Sequence, residues 1–223
     1  MVPLPGRAAD AVTDAIQAAY APYRAALFRT NSKAQAESEQ AIAAARGQWR
    51  TLAERHGTRP GAPYDRDAAF AATLKQVDEV YARAEAQIGA RQLPEAHETL
   101  EKARDLLSEL RRRNNVVVFS DHMNAYHEQM EHVLIDGAKA LAQPGGLLEV
   151  AALAGTLDYL ARRLRSEAPA ALAQDGEFKP LSDAVLASVG ALRSAIARQD
   201  EAAVREAIGK LKAPYSRLFL KFG

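Results

Sequence analysis

Two pairs of histidine and glutamate are the residues whose types and spacing best suit chemistry. His97 precedes Glu101 by four positions, and His127 precedes Glu131 by the same interval. Residues four apart on a helix lie one turn apart on the same face, so each pair can present an imidazole and a carboxylate together. Such groups on facing helices of a bundle are typical ligands of iron, manganese and zinc. The spacing therefore predicts a site for a transition metal ion.

The second pair lies in residues 117–132, which hold three of the five histidines and two of the three methionines. The helical period places both methionines on the apolar stripe, with His127 about 40° from its middle and Glu131 at its edge. Thioether groups beside an imidazole would favour a softer ion such as copper. The predicted metal ligands are His127, Glu131, Glu101, His97, Met123, Met130 and His122.

A structural interpretation competes with the metal site. An inward-facing histidine is commonly a hydrogen-bonded core residue, and methionines at helical spacing, such as Met123 and Met130, commonly fill a core. His97 lies about 60° from the apolar stripe of its own helix, a position that also suits a surface residue. Both interpretations stay open at this point.

Composition excludes several classes of protein. The chain has 223 residues, of which 48% are hydrophobic and 26% charged, with a formal net charge of +1, as in ordinary globular proteins. A near-neutral charge argues against nucleic-acid binding, and the run of arginines at 111–113 suits the last turn of a helix. No stretch approaches the roughly 20 apolar residues of a membrane span. The absence of cysteine excludes disulfides, thiolate catalysis and iron–sulfur clusters.

Apolar periodicity predicts helices throughout the chain and no strand. Ser120 is predicted to cap the central helix, Pro22 is predicted to kink or split the first helix, and Pro214 is predicted to kink the last helix. The predicted helices cover residues 8–30, 33–55, 94–113, 120–142, 147–168, 181–198 and 200–222, and a further helix is predicted to be capped by Asp65 or Asp67 and to end at residue 88.

An internal repeat indicates how the helices are grouped. Residues 47–55 share glycine, large apolar, Leu-Ala and arginine positions with residues 155–163, which lie 108 positions further on, and the Ala-Arg-Gln of residues 90–92 recurs at 197–199. These matches predict a duplication. The predicted fold is all-α, an up-down helical bundle made of two tandem four-helix bundles, with one continuous eight-helix body as the alternative. The predicted domains are residues 8–115 and 116–223, after a disordered lead at 1–7.

The last helix, residues 201–222, resembles the C-terminal helix of the cytochrome b562 family of periplasmic four-helix bundles. That family places a haem-ligating histidine near the end of this helix and a methionine on its first helix. Phe219 stands at the matching histidine position. The resemblance therefore implies a four-helix bundle and a periplasmic location, and it implies that no haem is bound in this way.

Two functions follow as expectations. The first is a carrier, buffer or sensor of copper, iron or zinc, with a membrane transporter or another protein as partner. The second is a metal-free protein-interaction or scaffold module, in which Trp49, Phe219 and Phe222 are either exposed anchors or, as we favour, core residues. No motif such as His-Glu-x-x-His or a Walker A loop indicates an enzyme. The Pro/Gly-containing segment at residues 1–6 resembles one that follows a removed signal peptide, which indicates a periplasmic protein, with a cytoplasmic one as the alternative.

Overall fold

The computed structural model describes residues 10–223, which form helices and turns without a strand. The predicted all-α fold is confirmed. The described part of the chain divides between residues 117 and 118 into two compact units, whereas the repeat predicts a boundary after residue 115. The predicted disordered lead at residues 1–7 lies outside the described residues.

The first unit is a four-helix bundle. Each helix contacts the next, and the first also contacts the fourth, which is the ring of contacts of an up-down-up-down bundle. The helices are α1 (Ala11–Asn31), α2 (Gln35–His56), α3 (Phe70–Gly89) and α4 (Leu93–Arg113). Pro22 lies inside α1, which continues on both sides of it, so of the two predicted alternatives, a kink or a split, the split is excluded.

Aromatic residues fill the core of the first unit. Trp49 is buried, and its indole Nε1–H donates a hydrogen bond to the carbonyl oxygen of Leu74 at 2.9 Å. Its ring packs against Tyr81 with 5.9 Å between the ring centroids. The buried Tyr23 hydroxyl donates to the carbonyl oxygen of Leu100 at 3.0 Å. A buried hydroxyl or indole needs such a partner, so these bonds allow polar aromatic residues to serve as core.

The loop between α2 and α3 is longer than expected, because α3 begins only at Phe70. The loop contains a short 3-10 helix, Tyr64–Arg66, and neither Asp65 nor Asp67 is the N-terminal cap of α3. The Asp67 carboxylate instead accepts a hydrogen bond from the Asn114 side chain at the end of α4.

The second unit has the same ring of contacts, with its fourth position shared by two helices. Its elements are α5 (Phe119–His132), a π-helical segment (Val133–Gly137), α6 (Ala138–Ala140), α7 (Gly146–Ser166), α8 (Ala170–Ala173), α9 (Phe178–Ala197), α10 (Glu201–Gly209) and α11 (Lys212–Phe222). The predicted single helix over 200–222 is therefore broken near residue 210. Pro214 has no N–H to donate to the Lys210 carbonyl, and it lies in the first turn of α11, where that donor is not required. Phe219 and Phe222 are buried, as favoured for core residues.

The central helix differs from the prediction at both ends. Val118 is its N-cap, and Asp121 accepts a hydrogen bond from the Val118 N–H at 3.0 Å, so Ser120 lies inside the helix. The π-helical segment also interrupts the predicted run to residue 142. A wider turn changes the phase of the helix, so that Val133 is buried while Leu134, four residues after the buried Met130, is only half-buried.

The turn that precedes α4 in the first unit resembles the turn that precedes α10 in the second unit. Arg91 and Gln199, 108 residues apart, both have a positive φ, 61° and 55°. The Arg91 N–H donates to the Ile88 carbonyl, and the Gln199 N–H donates to the Ile196 carbonyl, each at 2.9 Å. The same turn therefore occurs at the offset of the sequence repeat, while the duplication itself stays a hypothesis.

Candidate functional site

The structure brings the predicted pair on α4 together. The Nδ1 of His97 lies 3.1 Å from the carbonyl oxygen of Leu27, and its Nε2 lies 3.9 Å from the Glu101 carboxylate. A carbonyl oxygen only accepts hydrogen bonds, so in the neutral imidazole Nδ1 carries the proton and Nε2 is the basic nitrogen. Metal-ligating histidines are commonly oriented by this kind of backbone contact.

A cation of the protein already lies beside this pair. The Arg104 guanidinium is 3.6 Å from the Glu101 carboxylate, and its side chain is mostly buried. A positive charge at that distance offsets the negative charge that would attract a metal ion. The carboxylate of the α4 pair therefore belongs to an ion pair within the protein.

The predicted metal ligands on α5 are held by packing and charge contacts within the second unit. The His127 ring stacks on Tyr215 with 5.5 Å between centroids, and the Glu131 carboxylate lies 3.6 Å from Nζ of Lys212. Met123 and Met130 are both fully buried, which fits their interpretation as core residues. A metal-binding role of these four residues stays a prediction.

The other histidines of α5 differ in their surroundings. His122 is half-buried, and this burial together with the nearby Arg163 guanidinium lowers its pKa, against opposing contributions from Glu167 and Asp121. His132 is exposed and lies 3.0 Å from the Asp136 carboxylate. Within residues 10–223, no group of three or more histidine, aspartate or glutamate side chains is placed to hold a metal ion.

The arginine run at the end of α4 is confirmed as the last turn of that helix. Arg112 lies on the surface and donates two hydrogen bonds to Glu109 at 2.8 and 2.9 Å. Arg111 is fully buried, which the sequence did not predict. The run therefore does not present three exposed cations together.

An exposed apolar surface on α7 is the feature that sequence reasoning missed. Leu148 is 79% exposed and Tyr159 is 59% exposed, although both are large apolar residues. Eleven residues make three helical turns, so these side chains lie about 20° apart around the helix and about 16 Å apart along it. Ala152 and Gly155 are exposed between them. We call Leu148, Ala152, Gly155 and Tyr159 the outer face of α7.

The outer face lies opposite the side of α7 that packs in the unit. Val150, Ala154 and Leu157 are fully buried, and they lie about half a helical turn from the outer face. The sequence does contain a signal for this arrangement, because residues 147–160 are apolar on two sides of the helix rather than one. When one apolar side of such a helix packs in the core, the other is exposed to solvent unless another molecule covers it.

Opposite charges stand at the two ends of the outer face. Glu149 is exposed near its N-terminal end. Arg163 lies at the other end, where its guanidinium carbon is 5.9 Å from the centroid of the Tyr159 ring and its guanidinium nitrogen is 3.7 Å from the Glu167 carboxylate. A Cβ added at Gly155 would meet no atom within 4 Å, so packing within the protein does not require glycine there. A glycine within a helix costs about 0.5–1 kcal/mol relative to alanine.

No helix in the described part of the chain is both long and apolar enough to span a membrane. No protein-family model, curated protein or solved structure matches the chain. Nothing in these comparisons links the protein to cytochrome b562-like bundles, and that resemblance stays a hypothesis.

Proposed function

We propose that this protein is a protein-interaction module that binds a partner through the outer face of α7. The observation that carries the proposal is the exposure of Leu148 and Tyr159 on one stripe of one helix. Exposed apolar surface bordered by charged residues is typical of interaction sites. The hydrophobic contribution from burying such surface is about 25 cal/mol per Å², from which the entropic cost of association must be subtracted.

The setting of α7 supports this use. The helix contacts α5 on one side and α9 on the other, and its inner side chains are fully buried. An ion pair further joins it to α9, since Arg193 lies 2.8 Å from Asp158. A surface held in place in this way loses little conformational entropy when a partner binds.

Site-specific photo-crosslinking tests the proposal. In the full chain, Leu148 is replaced by p-benzoylphenylalanine, and the protein is illuminated in the cells that naturally produce it. We expect cross-links to protein that disappear when Tyr159→Arg is added, because both side chains belong to the same face. The matched control carries the photo-reactive residue at Glu206, which is similarly exposed on α10. Equal cross-linking from both positions would show that the outer face is not a binding surface.

Transition-metal binding is the second candidate, and the orientation of His97 by the Leu27 carbonyl favours it. Its test is elemental analysis of protein purified without a histidine tag, then titration with Cu(I), Cu(II), Zn(II) and Fe(II). Stoichiometric metal that is lost in His97→Ala would assign the ion to α4, and loss in His127→Ala would assign it to α5. Failure to retain any of these ions at micromolar concentration would exclude this function.

A further inference from the structure

The charges at the ends of the outer face of α7 indicate what covers it. We infer that a second copy of this chain docks there through its own α7, antiparallel, about a two-fold axis between Gly155 and Thr156. This inference rests on the proposed function and names the partner of the same surface. It depends on the exposed Leu148 and Tyr159 and on the positions of Glu149 and Arg163.

The apolar side chains complement each other in this arrangement. In an antiparallel pair centred between residues 155 and 156, Tyr159 faces the partner's Ala152, and Leu148 faces the partner's Arg163. The small Ala152 leaves space for the Tyr159 ring, and Gly155 lets the two helices approach closely at the axis. Leu148 covers the aliphatic part of the partner's Arg163, a contact that such side chains commonly make.

The positions of these two charged residues favour an antiparallel pair of α7 helices over a parallel pair. Glu149 and Arg163 lie on the same flank of the outer face, about 90° and 50° from its middle, and roughly 21 Å apart along the helix. In an antiparallel pair the same flanks of both helices meet, so Glu149 lies beside the partner's Arg163, and the two-fold axis repeats this ion pair. A parallel pair would bring like charges to the same end, which is unfavourable.

The size of this surface sets the expected strength of association. A single pair of helices buries less than the roughly 1,200 Å² of standard stable interfaces, which places it among weak or transient ones. We therefore expect a dissociation constant in the micromolar range. Gly155 suits the same arrangement, because an added Cβ would meet no atom of the protein within 4 Å and the missing side chain allows another helix to approach closely.

Sedimentation velocity of the full chain over a micromolar concentration series tests the inference. We expect a reversible monomer–dimer equilibrium in the unaltered protein. Glu149→Arg and Arg163→Glu should each weaken dimerisation about tenfold or more, since each replaces both symmetric ion pairs by like-charge contacts. The double variant Glu149→Arg/Arg163→Glu should restore it. Glu206→Arg, at an exposed position of α10, is the control and should leave dimerisation unchanged.

The remaining outcomes separate this inference from the proposed function. If the protein stays monomeric while position 148 cross-links to a different protein, the inference that a second copy is the partner is wrong. The proposal that the outer face of α7 binds a partner is then retained. A monomer without face-specific cross-links overturns both. If the charge variants dimerise as strongly as the parent, or if the double variant does not restore dimerisation, the antiparallel pairing of α7 is wrong. Unchanged helical circular dichroism in every variant shows that the fold is intact.

Discussion

At the scale of single residues, Asp67 joins the loop after α2 to the end of α4. Its side chain is only 7% exposed, and its carboxylate accepts hydrogen bonds from Arg113 and Asn114, each at 2.9 Å, and from the Ala69 N–H at 3.0 Å. Burial alone would raise the pKa of Asp67, but these donors outweigh it and hold the pKa below its ordinary value of 3.8. A carboxylate held in this way contributes to stability only while it is ionised.

We therefore expect Asp67→Asn to lower the free energy of unfolding by about 1–2 kcal/mol at neutral pH. Because the folded pKa lies below the unfolded one, this contribution is complete above the unfolded value and is lost as the pH falls through the folded pKa. Urea denaturation at a series of pH values should show the difference between variant and parent shrinking below about pH 4. Asp65→Asn, an exposed neighbour, should change stability by less than about 0.5 kcal/mol. A difference that does not depend on pH would contradict this assignment.

The candidate metal ligands show which features of a site the spacing of residues in the sequence does not predict. The one-turn spacing of His97 and Glu101 predicted that the two side chains meet, and they lie 3.9 Å apart. The same spacing could not show that Lys212 lies beside Glu131, because these residues are far apart in the sequence. Local spacing therefore predicts a pair, whereas the charge around the pair depends on distant parts of the chain.

At the scale of the helix, α2 and α7 offer a matched pair of glycines. Gly47 and Gly155 both lie inside long helices, both are exposed, and neither has an atom within 4 Å of the position of an added Cβ. Alanine at either position fits without a clash and is the better helix former. The two sites differ in that only Gly155 belongs to the outer face of α7.

We expect Gly47→Ala and Gly155→Ala each to raise the free energy of unfolding by about 0.5–1 kcal/mol in dilute solution, where the chain is monomeric. Gly155→Ala should in addition weaken dimerisation, because its methyl group stands where the partner's helix approaches most closely. Urea denaturation measures the first effect and sedimentation velocity the second. If Gly155→Ala dimerises as the parent does, close approach at this residue is not part of the association.

At the scale of the whole molecule, each unit has a core of its own. The single tryptophan of the chain, Trp49, is buried in the first unit, so its fluorescence reports on that unit. Far-ultraviolet circular dichroism reports on the helices of both. The two signals can therefore show whether the units unfold separately.

We expect Leu157→Ala, in the core of the second unit, to destabilise that unit by about 2–5 kcal/mol. The circular dichroism should then show an earlier transition, while the midpoint of the Trp49 fluorescence change stays where it is in the parent. Leu107→Ala, at a buried position of α4, should instead shift the fluorescence midpoint. Equal shifts of both signals in either variant would mean that the units unfold as one cooperative body.

The sequence by itself determined the helical class and much of the core. An apolar residue every three or four positions is a local property, so the burial of Trp49, Phe219 and Phe222 could be predicted from it. Only the tertiary structure decided where that period changes, at the π-helical segment 133–137, and where the last helix breaks. It also decided that Leu148 and Tyr159 are exposed, because the side of a helix that neighbours cover depends on how separate segments pack. The local period predicts which side chains can be buried, and tertiary packing determines which of them are buried.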